Sequence, residues 1–184
     1  WNVDCVITGG QKGLSSIPGV SLVAFSDDAW RAIENRTTPL THWCFDVRLA
    51  ENFWHRDGYH YTAPVSGIMA LHEALKLVCE ETLEQRFARH LRCSQALQAG
   101  IQGMGLELFI EPPARLNSVV GISIPEGLSA KQICDHISAT YRVEIAGSFG
   151  QPIVRIGQMG EQCREHNLFR TLHAFGSTMR DLGV

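Results

Sequence analysis

The stretch DCVITGGQKGL at residues 4–14 decides how the rest of the chain is interpreted. Residues 5–8 are mostly apolar and β-branched, which is typical of a short strand buried on both faces. A flexible glycine turn follows, and then Lys12. Residues 20–26 are also apolar and predict a second strand. We therefore expect Lys12 on a loop between two apolar strands, in a numbering that begins partway along a longer protein.

The pattern beyond these strands alternates between helix and strand. Short helices are predicted at residues 26–33 and 45–54, followed by long helical segments from Val65 with a break near Glu81, where Thr82 and Gln85 have capping-box spacing. The fold class is therefore α/β, giving way to an α+β tail. Further short strands are expected at residues 106–110, 119–124, 143–146 and 153–156, alternating with a helix capped by Ser129 and one that follows Gly160. Solvated helix faces are expected at Glu80, Glu81, Arg86, Arg89 and Arg92.

Composition excludes several classes of protein. The 184 residues carry 16 Lys+Arg and 19 Asp+Glu, a formal charge of -3, so neither nucleic acid nor an anionic membrane surface is an expected partner. No apolar run reaches the roughly 20 residues that span a bilayer. The six cysteines lack CxxC or zinc-finger spacing, so no metal site is expected. We interpret them as reduced thiols in a cytoplasmic protein, with extracellular disulfides as the alternative.

Lys12 is the first candidate for chemistry. Its small neighbours let another group approach the amine closely, and the adjoining apolar strands should partly exclude water. Desolvation disfavours the ammonium form, which is the condition for a nucleophilic or Schiff-base lysine. The alternative is an exposed loop lysine with no role.

Arg155 and a hydroxyl-rich hexapeptide are the other candidates. Arg155 lies in the middle of an apolar strand, and an inward-facing guanidinium there would match a substrate carboxylate. The alternative is an arginine that faces solvent. The hydroxyls of Tyr59 and Thr62 could donate to a phosphate, or they could belong to a turn that caps the next helix.

Several ordered segments resemble class V aminotransferases of the alanine–glyoxylate group. The family's lysine segment is similar to residues 4–20. Its middle segments are similar to NFW at 52–54, YHYTAP at 59–64 and LHEAL at 71–75, and its carboxylate-binding strand to VRIGQMG at 154–160. The resemblance implies a pyridoxal 5′-phosphate enzyme of fold type I. Residues 1–82 would then end the large cofactor-binding domain, and residues 83–184 would form the small α+β C-terminal domain.

The resemblance also implies a role for each candidate residue. Lys12 would form the internal aldimine with the cofactor and carry protons during a ping-pong transamination. Gln11 would help to hold the phosphate, while Tyr59 and Thr62 would reach the phosphate bound in the partner subunit of a homodimer. Arg155 would bind the substrate α-carboxylate.

The substrates implied are a small amino donor, such as alanine or serine, and a 2-oxo acid, such as glyoxylate or pyruvate. Gln11 disfavours the cysteine desulfurases, which usually have histidine before the lysine. Ile17 and Tyr61 depart from the group's usual proline and histidine, so the substrates stay open. The family's phosphate loop, ring-stacking aromatic and pyridinium aspartate precede the lysine, and we expect the 184 residues alone to be inactive. The alternative function is a non-catalytic small-anion-binding or interaction module.

Overall fold

The computed structural model describes residues 1–55 and 57–184. The chain divides into two compact units, and the short segment that contains Lys12 belongs to the unit formed by the C-terminal half. The first unit comprises Trp1–Gln11 and Ser16–Glu73, and the second comprises Lys12–Ser15 and Ala74–Val184.

The strands of the first unit form a two-stranded antiparallel sheet. Strand β1 (Cys5–Gly9) pairs with β2 (Ser21–Phe25). Val6, Ile7 and Val23 are exposed within these 184 residues, so the burial expected for β1 on both faces stays a prediction. Branched side chains favour extended backbone, and the two strands that composition predicted are present.

Both short helices predicted for the first unit are confirmed. Helix α1 (Asp27–Glu34) begins after Ser26, whose Oγ accepts a hydrogen bond from the Ala29 backbone N–H at 3.1 Å. A 3₁₀ turn at Trp43–Phe45 precedes helix α2 (Val47–His55). An N-cap serine followed by acidic residues is the signal that placed α1 correctly.

The predicted interruption of the long helical stretch lies at Thr82. Helix α3 (Val65–Glu81) ends there and α4 (Leu83–Gly103) begins. Thr82 has a φ of 67°, and its hydroxyl accepts a hydrogen bond from the Gln85 N–H at 3.4 Å. The compact units divide between Glu73 and Ala74, and the domain boundary after residue 82 stays a prediction. Within residues 1–55 and 57–184, no helix has both the length and the apolar character needed to cross a membrane.

The second unit contains a three-stranded antiparallel sheet in the order β3–β5–β4. Strands β3 (Val119–Ser123) and β4 (Ala146–Gly147) flank the central β5 (Ile153–Gly157). Helix α5 (Ala130–Tyr141) starts at the predicted capping box, and α6 (Glu165–Asp181) follows β5.

One hydrophobic core joins the sheet of this unit to its helices. The fully buried side chains come from α4, β3, α5, β5 and α6, and they include Leu97, Ile122, Ile137, Val154 and Phe175. The strand expected at residues 106–110 is reduced to a single bridge between Leu108 and Ile122, and the one expected at residues 143–146 is shorter and shifted. These segments are apolar because they cover the core, which does not require ladder pairing. All six cysteines are free thiols.

Candidate active site

One cavity in the second unit is lined by residues from distant parts of the sequence. It has a volume of about 590 Å³, and its lining includes Lys12, Arg155 and Gln158. Among the described lining residues, the cations outnumber the carboxylates: Lys12, Arg142, Arg155 and Arg170 stand against Glu144. A concave site with this charge balance favours an anionic ligand.

Arg155 presents an open guanidinium to this cavity. It lies on the central strand β5, opposite Gly121 of β3 and Ala146 of β4. Its Nε donates a hydrogen bond to the Gly147 carbonyl at 2.9 Å. No partner for Nη1 or Nη2 is found in the described parts of the chain, so both remain available to a carboxylate. The half-buried side chain lines the cavity, which favours the ligand-binding interpretation over a solvent-facing arginine.

Gln158 is a site residue that the sequence reasoning did not identify. Its side chain is buried at 5% exposure and lines the same cavity. Within the described residues, its Nε2 has no hydrogen-bond partner, an arrangement that costs free energy unless an acceptor is supplied. A bound ligand oxygen would supply one. The available signal was its position, three residues after Arg155 in the run VRIGQMG.

Lys12 lines the cavity but is more exposed than expected. The Ser15 N–H donates to the Lys12 carbonyl at 2.9 Å, which closes a tight turn after the lysine. The lysine side chain is exposed, and across residues 1–55 and 57–184 its amine makes no hydrogen bond or ion pair. Lys12 belongs to the second unit and the flanking strands to the first, so the expectation that these strands keep water from the amine stays a prediction.

Gln11, Tyr59 and Thr62 belong to the first unit. The Tyr59 hydroxyl lies 3.2 Å from Thr62 Oγ1, so the two hydroxyls of the hexapeptide form a pair. The Tyr59 ring packs edge-on against Phe53, with ring centroids 5.8 Å apart. Gln11, Tyr59 and Thr62 are all exposed and accessible to a ligand.

A buried ion-pair cluster, formed by Glu81, Arg86, Arg89, Glu161 and Arg164, lies in the second unit. The prediction of a solvated helix face is wrong for Arg86 and Arg89, which are 6% and 7% exposed. Glu81 Oε2 accepts from Arg86 Nη1 at 2.9 Å and from Arg89 Nη2 at 2.7 Å. Glu161 accepts from Arg86 at 3.3 Å and from Arg164 at 2.6 Å. The helical pattern suggested a polar face, but these arginines are buried against acidic partners.

The cluster changes the titration of Glu81. Hydrogen bonding from Arg89, opposed by burial and reinforced by Arg86, lowers the pKa of Glu81 from 4.5 to about 2. Between these pH values the folded state binds fewer protons at Glu81 than the unfolded state. Glu81 therefore stabilises the fold fully above about pH 4.5, and this contribution is lost as the pH falls toward about 2.

The Glu81→Gln substitution is expected to lower the free energy of unfolding by about 3–5 kcal/mol at pH 7, because it leaves the buried Arg86 and Arg89 to share the single carboxylate of Glu161. Urea unfolding measures this change. Glu165→Gln is the control, since Glu165 forms an exposed pair with Arg92 at 3.6 Å and should cost less than about 1 kcal/mol. Equal stability of the two variants would contradict the role of the cluster.

Comparison with known proteins shows similarity over nearly the whole chain. The family model described as aminotransferase class-V matches residues 1–164. Alanine–glyoxylate aminotransferase from Oryctolagus cuniculus is 35% identical over 186 residues, 97% of this chain and 47% of that protein. L-aspartate–glyoxylate aminotransferase from Paracoccus denitrificans is 37% identical over 164 residues, 87% of this chain and 41% of that protein.

A solved structure shows the same fold. The crystal structure of ureidoglycine–glyoxylate aminotransferase from Bacillus subtilis superimposes with a TM-score of 0.95 at 34% identity, covering 100% of this chain and 49% of that one. The predicted α/β fold of type I pyridoxal-phosphate transferases is thereby confirmed. The chain spans about half the length of the curated relatives it matches. It belongs to the class V aminotransferase family.

Proposed function

We propose that the protein carrying this chain is a pyridoxal-phosphate-dependent transaminase that moves an amino group from a small amino acid to a 2-oxo acid. The observation that carries the proposal is that Lys12 and Arg155 line one cavity. Relatives named for alanine, aspartate and ureidoglycine all share glyoxylate in their names, which supports glyoxylate as acceptor, with pyruvate as a second candidate. Because the donors differ, alanine and serine are donors to be assayed.

The residues of the cavity fit the chemistry of pyridoxal phosphate. An aldehyde needs an amine that is not already paired, and Lys12 offers one, since none of the described residues bonds to it. A phosphorylated anion suits the cationic lining, and the unpaired amide of Gln158 offers a buried donor to an oxygen. When bound, the cofactor would act as an electron sink that stabilises negative charge at the substrate α-carbon.

Lys12 would act in two ways in this reaction. In its neutral form, Nζ would hold the cofactor covalently through the aldehyde group, with loss of water, and the amino substrate would release it. The freed amine would then take a proton from the substrate α-carbon and hold it for return, so one group would serve as base and as acid. The tight turn closed by Ser15 fixes the backbone from which this side chain extends.

Arg155 would hold the substrate during this proton transfer. Its Nε is already committed to the Gly147 carbonyl, so the plane of the guanidinium is set before a ligand arrives. Nη1 and Nη2 would donate to the α-carboxylate of the amino acid or of the 2-oxo acid. Fixing the carboxylate would also fix the position of the α-carbon relative to the Lys12 amine. Substrate binding would thereby orient the reacting atoms.

The hydroxyl pair of Tyr59 and Thr62, together with Gln11, would donate to the cofactor phosphate. The proposal includes a cytoplasmic homodimer in which the hydroxyl pair of one subunit serves the cofactor of the other.

Tyr59→Phe is expected to raise the apparent Kd for pyridoxal phosphate roughly 10- to 150-fold, since a hydrogen bond to a charged group contributes roughly 1.5–3 kcal/mol. Fluorescence titration of the cofactor-free protein measures this change. Tyr61→Phe is the matched control, because its ring contacts Trp43 and His60 and its hydroxyl is not part of the pair. Equal affinities of the two variants would show that the Tyr59 hydroxyl does not bind the phosphate.

The proposed function is tested on the intact protein by incubation with pyridoxal phosphate, reduction with borohydride and peptide mapping. The expected result is a covalent adduct on Lys12, with amino transfer to glyoxylate from at least one of alanine, serine or aspartate. Absence of both the adduct and the transfer would refute the proposal.

A further inference from the structure

The loop segment that follows Lys12 is held by groups outside the loop. Arg86 Nη2 donates a hydrogen bond to the Gly13 carbonyl at 2.8 Å. Ser15 Oγ accepts from the Glu161 backbone N–H at 2.7 Å. Since the Ser15 N–H also donates to the Lys12 carbonyl, the lysine backbone is linked to α4 and to the turn before α6.

Gly160 allows this loop to pack directly against that turn. A Cβ on Gly160 would lie 1.9 Å from Ser15 Oγ and 2.9 Å from the Gly13 carbonyl oxygen. The φ of Gly160 is 57°, a conformation that glycine adopts without strain. Its N–H donates to His90 Nε2 at 3.0 Å. The turn is therefore fixed, and it offers the lysine loop a rigid surface.

Arg86 is itself fixed by the buried ion-pair cluster. Its Nη1 donates to Glu81 at 2.9 Å and to Glu161 at 3.3 Å. The guanidinium is planar, so carboxylates bound to one terminal nitrogen determine where the other one points. That other nitrogen, Nη2, points at the Gly13 carbonyl. A lysine at this position would keep the charge but would lack the rigid fork.

We propose that Arg86 is a positioning residue for Lys12. By holding the carbonyl of the next residue, Gly13, it sets the direction in which the Lys12 amine leaves its loop. The claim about amine reactivity rests on the proposed function, whereas the claim about loop order does not.

Arg89 provides a matched control. It is buried to the same degree as Arg86 and shares the carboxylate of Glu81. Its Nη1, however, donates to the carbonyls of Gly160 and Cys163 and not to the lysine loop. Arg86→Lys and Arg89→Lys thus disturb the same cluster with no change of charge, but only the first removes the bond to Gly13.

The experiment compares these variants in the intact protein with two measurements. Amide hydrogen exchange, without cofactor, follows the backbone from Lys12 to Ser16. The second measurement is the rate at which pyridoxal phosphate forms an adduct with Lys12 that borohydride can trap. Thermal unfolding is recorded for each variant to measure the general cost of disturbing the cluster.

Arg86→Lys is expected to speed exchange of the Ser15 amide and to slow adduct formation roughly 10- to 100-fold, the usual effect of a misplaced reacting group. Arg89→Lys should lower the melting temperature by a similar amount and change both measurements much less than Arg86→Lys does, since Arg89 bonds to the Gly160 carbonyl and not to the loop itself. Ser15→Ala, which removes the acceptor for the Glu161 N–H, should also speed exchange in the loop without disturbing the buried charges.

Identical exchange and identical adduct rates in Arg86→Lys and Arg89→Lys would overturn the inference. Unchanged exchange in Ser15→Ala would contradict it as well. A wild-type protein that forms no adduct on Lys12 would refute the proposed function, and the exchange measurements would still decide whether Arg86 orders the loop.

Discussion

Lys12→Ala should abolish the borohydride-stable adduct with pyridoxal phosphate and reduce transamination by roughly 10⁴-fold or more, because the same amine supplies the nucleophile and the proton carrier. The structure indicates that this substitution should leave the fold intact. Lys12 is exposed, and its amine makes no hydrogen bond or ion pair in the described part of the chain, so the fold should not weaken. Peptide mapping after reduction and an assay of glyoxylate consumption measure the two effects.

Lys131→Ala is the control for this prediction. Lys131 is an exposed lysine of the same unit that pairs with Asp135 along α5, and it does not line the cavity. The Lys131→Ala protein should retain the adduct and its activity. An adduct that survives in Lys12→Ala would mean that another amine carries the cofactor.

Arg155→Gln should lower kcat/KM for the amino acid and for the 2-oxo acid by about 10²–10³-fold, which matches the roughly 2–5 kcal/mol expected from breaking a charge-assisted pair. Formation of the adduct on Lys12 should be nearly unchanged. Steady-state kinetics with varied glyoxylate measure carboxylate binding by Arg155, and adduct mapping measures the reaction of Lys12 with the cofactor.

Arg92→Gln is the corresponding control, since Arg92 forms an exposed pair with Glu165 and should leave the kinetics unchanged. A normal kcat/KM in Arg155→Gln would exclude it from carboxylate binding. Anion binding that is lost in Arg155→Gln but intact in Lys12→Ala, without transamination in the wild type, would instead favour a binding module.

The sequence predicted the parts of this molecule that depend on local chemistry. The N-cap at Ser26, the capping box at Ser129 and the interruption at Thr82 each satisfy backbone N–H groups with nearby side chains, so neighbouring residues suffice to place them. Lys12 was identified by its small neighbours in a loop between strands and Arg155 by its charge within an apolar strand, and the structure brings both to one cavity.

The features that the sequence did not predict depend on tertiary contacts. Arg86 and Arg89 look like a polar helix face, and only their approach to Glu81 and Glu161 shows that they are buried. Gln158 gains its significance from the absence of a partner, which no local pattern records.

The backbone conformation of Thr82 has a consequence for the two arginines. In an uninterrupted helix, Glu81 and Arg89 would be about 12 Å apart along the axis and would point in different directions. The bend at Thr82 lets one carboxylate reach both guanidiniums, at 2.9 Å from Arg86 and 2.7 Å from Arg89. The strained, positive-φ backbone of Thr82 is thus what allows Glu81 to neutralise two buried arginines in the second unit. The junction between α3 and α4 therefore helps to position Arg86, which in turn holds the carbonyl of Gly13 beside Lys12.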